Sequence, residues 1–279
     1  MGINQIISDK YDQLKRQLEA LPALAVAFSG GVDSSLLLAA AVDVLGRRVV
    51  ALTADSALHP AREIQVAVAI AGRLNVRHRI IRTDEMDDPD FRANTPDRCY
   101  ICKKMIFGRL VSEAAAMGID RMAHGVNMDD FDDYRPGLLA ASEMEILAPL
   151  ADARLAKAEI RLLARERGLP NWDRPAMACL ASRIPYGTEL SPSLLARVEA
   201  AENLMADIGF QGGRVRCHGD VARIELANRD DMARAVSDRH RRRLVDGLQS
   251  IGFRYVTLDL EGYRQGSLNA ALSDDPSGR

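Results

Sequence analysis

Apolar residues at Tyr11, Leu14, Leu18 and Leu21 recur at the spacing of one helical face, and Pro22 stops them, so a helix is expected over 9–21. Residues 24–28 form a short apolar run that ends at Ser29-Gly30-Gly31, as a buried parallel strand entering a tight loop does. A helix over 34–45 closed by Gly46, a strand over 49–54, a helix over 61–74 and a strand over 79–82 follow. The alternation continues with a helix over 103–117, Gly118 just past its end, and a fourth strand over 121–125. A weaker fifth strand is read over 146–150, and a helix over 155–167 stops at Gly168 and Pro170. This order predicts an α/β fold with a doubly wound, mostly parallel sheet. Such sheets bind ligands beyond the carboxyl ends of their strands. The unusual residues fall there: 29–35 after the first strand, Asp55-Ser56 after the second and 125–130 after the fourth.

The pattern changes near Asn171. A loop-like stretch over 175–192 leads to an amphipathic helix over 194–208, and two alternating runs, 214–218 and 221–226, are joined by Gly219-Asp220 as in a hairpin. A helix over 238–250 and a strand over 255–260 complete a smaller C-terminal α+β unit. The division expected is 1–170 for the nucleotide domain, 171–192 for a linker or active-site loop, and 193–279 for the second domain. The polar tail 273–279 reads as frayed.

Composition narrows the class. The chain has 279 residues, 47% of them hydrophobic, and its 37 basic residues nearly cancel 39 acidic ones to leave a formal charge of -2. That balance argues against a dedicated nucleic-acid protein. The longest apolar runs are too short to span a bilayer and no signal peptide opens the chain, so a cytoplasmic location without membrane contact is expected. Four cysteines, Cys99, Cys102, Cys179 and Cys217, are too few for a disulfide framework, and the first two form a C-x-x-C pair suited to metal or redox chemistry.

The string Ser-Gly-Gly-Val-Asp-Ser-Ser at 29–35 lies between a strand and a helix. Gly30 and Gly31 let the backbone turn and approach an anion, and the first N–H groups of the following helix can hold a phosphate. Ser29, Ser34 and Ser35 add hydroxyls, and Asp33 either orients the loop or ligates Mg²⁺. The Gly-Lys-Ser/Thr ending of a Walker loop is missing. After the fourth strand, Gly125, Asn127, Asp129, Asp130, Asp132, Asp133 and Arg135 crowd one loop. Taken alone it reads as a solvated acidic loop. Beside a phosphate loop, Asp129 and Asp130 become Mg²⁺ candidates, and Arg135 a partner for a carboxylate or phosphate.

Residues 29–35 resemble the PP-loop of the N-type ATP pyrophosphatases, a Rossmann-like superfamily that includes NAD and GMP synthetases and tRNA thiolation enzymes. The resemblance implies cleavage of ATP between its α- and β-phosphates and transfer of AMP to the substrate. Three further strings, at 94–100, 125–137 and 181–188, together with 254–260, resemble the LarE sulfur transferases over nearly the whole chain. That family helps build the nickel-pincer nucleotide of lactate racemase. The resemblance implies a pyridinium-3,5-biscarboxylic acid mononucleotide substrate, whose carboxylates are adenylated and then attacked by sulfur. It also implies roles for Ser182 and Arg183, a phosphate or substrate site with Glu202, Arg214 and Arg216, a separate sulfide donor, and a homo-oligomer. Read without it, Arg214 and Arg216 are a solvated strand face opposite the core residues Val215 and Cys217.

One branch of that family sacrifices a cysteine before Ser-Arg-x-Pro-Tyr-Gly, leaving dehydroalanine. Here that position is Ala178, with Cys179 one place later, and Cys99 and Cys102 are present. The chain therefore resembles the branch in which three cysteines hold a [4Fe-4S] cluster and leave one iron open to sulfide. Zinc, incidental core thiols and a sacrificial Cys179 are the alternatives. Cys217 reads as a core thiol, Trp172 as a packing residue at the domain boundary, and the arginines of 239–243 as a solvated helix face. A tRNA thiolase and an amide-forming ligase are the competing activities; the first needs a basic surface and the second has no use for three thiols.

Overall fold

The computed structural model describes residues 3–131, 136–175, 179–228, 230–264 and 268. The chain separates into two compact units, Met1–Phe91 with Pro96–Met177, and Arg92–Thr95 with Ala178–Arg279.

In the first unit α1 (Ile3–Glu19) precedes β1 (Leu24–Ala27), α2 (Val32–Leu45), β2 (Val49–Asp55), α3 (Ala61–Arg73) and β3 (Arg77–Arg82). After a short α4 (Pro89–Arg92) come α5 (Arg98–Ala115), β4 (Met122–His124), α6 (Pro136–Glu143), α7 (Pro149–Asp152) and α8 (Lys157–Glu166). The four strands form one sheet in the order β3-β2-β1-β4, parallel throughout. Alternation divides the strand side chains between two cores. Leu24, Val26, Val49 and Ala51 pack with α1, α2 and α8 on one face. Ala25, Val50, Leu52 and Met122 pack with Ile106, Phe107 and Leu110 of α5 on the other. The doubly wound arrangement is as expected from the sequence.

Two details differ. The expected fifth strand is reduced to a single parallel bridge, Ala123 to Leu147, because Pro149 brings no N–H to a ladder and instead opens α7. The helix expected from 103 begins at Arg98, where Tyr100 and Ile101 both donate N–H to the Asp97 carbonyl. Cys99 and Cys102 therefore lie in its first turns.

The second unit contains α9 (Pro192–Ile208), β5 (Arg214–His218), β6 (Val221–Glu225), α10 (Asp231–Val236), α11 (Asp238–Ser250) and β7 (Tyr255–Leu258). Ser191 caps α9 by accepting from the Leu194 N–H, and Gly209 ends it at φ 99°. β5 and β6 form the expected antiparallel hairpin through Gly219-Asp220, and β7 joins β6 in parallel. Val215 and Cys217 are buried, as read from the alternation, and Arg239, Arg241, Arg242 and Arg243 are exposed on α11. Trp172 packs against the α1–α2–α8 core with the Arg165 guanidinium 5.3 Å from its ring.

Candidate active site

In the order β3-β2-β1-β4, chain order reverses at β1, and the loop leaving its carboxyl end occupies the switch point. Gly30 takes φ 76°, and a Cβ there would stand 3.0 Å from the Ala67 nitrogen of α3. Gly125 follows β4; a Cβ on it would lie 2.7 Å from the Ser34 nitrogen, so only glycine lets the two loops touch. Ser29 and Ser34 face each other with hydroxyls 3.2 Å apart, the Gly31 N–H donates to Ser29 Oγ at 3.3 Å, and Ser34 Oγ donates to the Gly31 carbonyl. Ser35 is fully buried one residue further on.

Asp33, in the first turn of α2, joins this loop to the one after β4. Asn127 Nδ2 donates to its Oδ1 at 3.3 Å, and Lys157 Nζ donates to its Oδ2 at 2.5 Å. Asn127 in turn donates its N–H to Asp130 Oδ2 and accepts the Asp129 N–H, while Asp129 Oδ2 accepts the Lys157 N–H. Gly125, Asn127, Asp129 and Asp130 thus gather on the phosphate loop. Asp55 and Ser56 stand at the end of the adjoining β2; Ser56 Oγ accepts the Leu58 N–H, and the Asp55 side chain is exposed. Arg135, with Asp132 and Asp133, lies outside the described residues.

Lys157 and Asn171 were not singled out in the sequence. A lysine in the first turn of a helix opposes the helix dipole, and that local anomaly points to an anionic partner. Asn171 had no such signal beyond following Pro170.

Among the described residues no three His, Cys, Asp or Glu side chains gather as an all-protein metal cage requires. Mg²⁺ carried on phosphates asks less, one or two carboxylates with the remaining positions left to phosphate oxygens and water. Asp33, Asp129 and Asp130 fit that demand.

Two histidines flank the loop, His59 after β2 and His124 at the end of β4. Burial, with a smaller contribution from the Lys103 ammonium, lowers both imidazoles to about 4, and Asp55 partly opposes the fall at His59. Both are neutral at pH 7. Because the unfolded chain binds these protons near pH 6.5 and the folded chain does not until about 4, stability falls as pH is lowered through that window. The expected loss at pH 5 is about 1–2 kcal/mol from each histidine. Thermal unfolding at pH 7 and pH 5 measures it, and His124→Gln reduces the difference.

The second unit holds a buried ionic network. Arg183 and Glu202, each 2% exposed, form a two-pronged pair at 2.8 and 3.1 Å. Arg183 Nη1 also donates to Ser182 Oγ and to the Cys179 carbonyl, which accepts from Ser182 Oγ as well. Arg216 donates to the Ser182 carbonyl and to Glu225 Oε2, at 2.8 and 2.7 Å. Arg214 donates to the Gly212 and Gly213 carbonyls, and its guanidinium lies 5.4 Å from the Tyr263 ring. Both β5 arginines are 6% exposed, so the solvated-face reading of them is wrong. Arg216 is buried against the internal carboxylate of Glu225, and Arg214 against the Gly212 and Gly213 carbonyls. Arg223 joins the same network, pairing with Glu225 at 3.2 Å and with Asp259 at 2.7 Å.

No cysteine forms a disulfide. Cys99 is exposed and Cys102 half-buried in the first turns of α5 in the first unit; Cys179 is half-buried just before the Leu180–Arg183 turn in the second. Cys217 is buried and accepts from Arg197 Nη2 at 2.9 Å. Ala178 lies outside the described residues.

A parallel sheet with a Ser-Gly-Gly-x-Asp-Ser loop at its switch point defines an ATP-using α/β enzyme of the PP-loop kind. The family model described as asparagine synthase, built on such a domain, matches residues 11–128. The pyridinium-3,5-bisthiocarboxylic acid mononucleotide synthase of Lactiplantibacillus plantarum is 42% identical over 270 residues, 96% of each chain. An uncharacterized protein of Synechocystis sp. is 41% identical over 96% of this chain and all of its own. The argininosuccinate synthase of Methanocaldococcus jannaschii is 30% identical over 52% of this chain and 40% of its own. The chain belongs to the LarE family of ATP-dependent sulfur transferases, within the PP-loop ATP pyrophosphatases. Among the described residues no helix is long and apolar enough to cross a membrane.

Proposed function

We propose that this chain adenylates the carboxylates of pyridinium-3,5-biscarboxylic acid mononucleotide and converts them to thiocarboxylates for nickel-pincer nucleotide synthesis. The observation that carries the reading is the 42% identity to a synthase of the bisthiocarboxylic acid mononucleotide across 96% of both chains.

In this reading residues 1–170 carry activation, 171–192 form an active-site loop, and 193–279 complete the substrate site. The enzyme works in the cytoplasm as a homo-oligomer. The loop of Ser29, Gly30, Gly31, Ser34 and Ser35 holds ATP phosphates through N–H and hydroxyl donors, with Gly125, Asn127, Asp55 and Ser56 around the nucleotide. Asp33, Asp129 and Asp130 would hold Mg²⁺, which screens the phosphate charge when bound. A substrate carboxylate oxygen attacks the α-phosphorus and pyrophosphate leaves. Lys157 turns from Asp33 to the charge that develops there. A sulfide sulfur then attacks the acyl carbon and AMP leaves, so each carboxylate consumes one ATP. Ser182, Arg183, Glu202, Arg214, Arg216 and Arg135 bind the anionic groups of the mononucleotide.

Cys99, Cys102 and Cys179 would hold a [4Fe-4S] cluster, which supplies an iron able to carry exogenous sulfide. Thiolates are the donors such a cluster takes and none of the three is fully buried, although among the described residues they are not gathered into a metal-holding group. Pyrophosphate release tests the assignment: it is expected with the pyridinium mononucleotide and not with tRNA or with ammonia and a nicotinate nucleotide. Release driven by either of the latter alone would replace this reading with a tRNA thiolase or an amide ligase.

A further inference from the structure

Asn171 reaches the phosphate loop from 141 residues away in sequence. Its Nδ2 donates to the Gly30 carbonyl at 2.8 Å and to Ser35 Oγ at 2.9 Å. Because the Gly30 carbonyl can only accept, the group facing it is the amide nitrogen. Asn171 is 3% exposed and Ser35 is fully buried, so neither bond is shared with bulk solvent.

The backbone that presents this amide is itself pinned. The Arg174 N–H donates to the Asn171 carbonyl, Arg161 donates to the carbonyls of Trp172 and Arg174, and Arg174 pairs with Glu63 of α3 at 3.3 Å. The other end of the amide is not satisfied: Asn171 Oδ1 is buried with no hydrogen-bond partner among the described residues. An orphaned buried acceptor costs stability. A residue kept at that cost is kept for its donor.

What the donor controls follows from the planar trans peptide. The carbonyl of Gly30 and the N–H of Gly31 belong to one rigid plane and point in opposite directions. With glycine on both sides, that plane flips more readily than any other in the loop. Holding the carbonyl on Asn171 fixes the Gly31 N–H on the opposite side, where it now meets Ser29 Oγ beside Ser34 Oγ. A flipped peptide would replace that donor with a carbonyl oxygen, which repels phosphate.

We propose that Asn171 is a positioning residue that locks the Gly30–Gly31 peptide in its anion-binding orientation, and so sets the affinity of the loop for the pyrophosphate part of ATP. This rests on the loop being the ATP site, and extends that reading to a residue outside the motif.

The test is calorimetric titration of the full-length protein with Mg²⁺-pyrophosphate, Mg²⁺-ATP and AMP, for wild type, Asn171→Ala and Asn171→Asp. Asp keeps the shape of the side chain and loses the donor, so it stays informative if the alanine variant folds poorly. Both variants are expected to bind pyrophosphate and ATP at least tenfold more weakly, with AMP affinity within twofold of wild type even as the unpaired Gly30 carbonyl lowers the thermal midpoint. Wild-type affinity for pyrophosphate in Asn171→Asp would overturn the inference. So would a parallel loss of all three ligands together with the thermal midpoint, which marks a merely structural role. A wild-type protein that binds neither ATP nor pyrophosphate would overturn the reading of the loop itself, and the inference with it.

Discussion

Asp33→Ala abolishes conversion of ATP to AMP and pyrophosphate while the protein stays folded. The Asp33 carboxylate is the point where the phosphate loop, Asn127 and Lys157 meet, at 3.3 and 2.5 Å. Its loss removes the proposed Mg²⁺ ligand and releases Lys157 at once. The fold does not depend on it, since α2 is held by buried Leu36, Leu37 and Leu38. Ser34→Ala acts in the same direction. Lys157→Met removes one donor to the developing charge and lowers AMP formation about 100-fold, the usual cost of such a deletion. Pyrophosphate release and circular dichroism measured side by side decide the matter. Near-wild-type release in Asp33→Ala contradicts the role given to the loop.

Replacing any one of Cys99, Cys102 or Cys179 by Ala abolishes sulfur transfer and leaves ATP cleavage to AMP intact. Two thiolates are a poor anchor for a cubane, whereas the proposed activation chemistry lies on the Ser29–Ser35 loop. Anaerobically reconstituted wild type is expected to be brown and to turn over repeatedly when fed sulfide, and each of the three variants to lose both properties. Cys217→Ala keeps them, because its thiol is buried in the β5–β6 hairpin. A sacrificial mechanism gives a different pattern: Cys179 alone is essential, and the spent protein is lighter by the mass of H₂S. Intact-protein mass spectrometry before and after one turnover separates the two.

Local patterns made the sheet and its loop legible. The apolar runs at 24–28 and 49–54 lie within a turn or less of β1 and β2, because strands buried on both faces must be apolar throughout. The Gly-Asp hairpin was equally readable, since its turn chemistry is local. Long-range pairings were not. Lys157 and Asn171 act on residues 124 and 141 positions away, and no periodicity reports such a partner. Burial of Arg214 and Arg216 was hidden for the same reason: strand alternation assigns charged residues to solvent unless a buried carboxylate such as Glu225 is known to face them. The early start of α5 was masked because Arg98, Cys99 and Cys102 do not repeat as an apolar stripe, although Arg98 is itself buried.

The most direct test of sulfur transfer is mass spectrometry of the small-molecule product. Anaerobically reconstituted protein is supplied with Mg²⁺-ATP, sulfide and pyridinium-3,5-biscarboxylic acid mononucleotide. The expected result is a thiocarboxylate product, with one AMP and one pyrophosphate released for each sulfur incorporated. AMP and pyrophosphate formed while the mononucleotide gains no sulfur, or a mononucleotide that elicits no ATP cleavage at all, would contradict it.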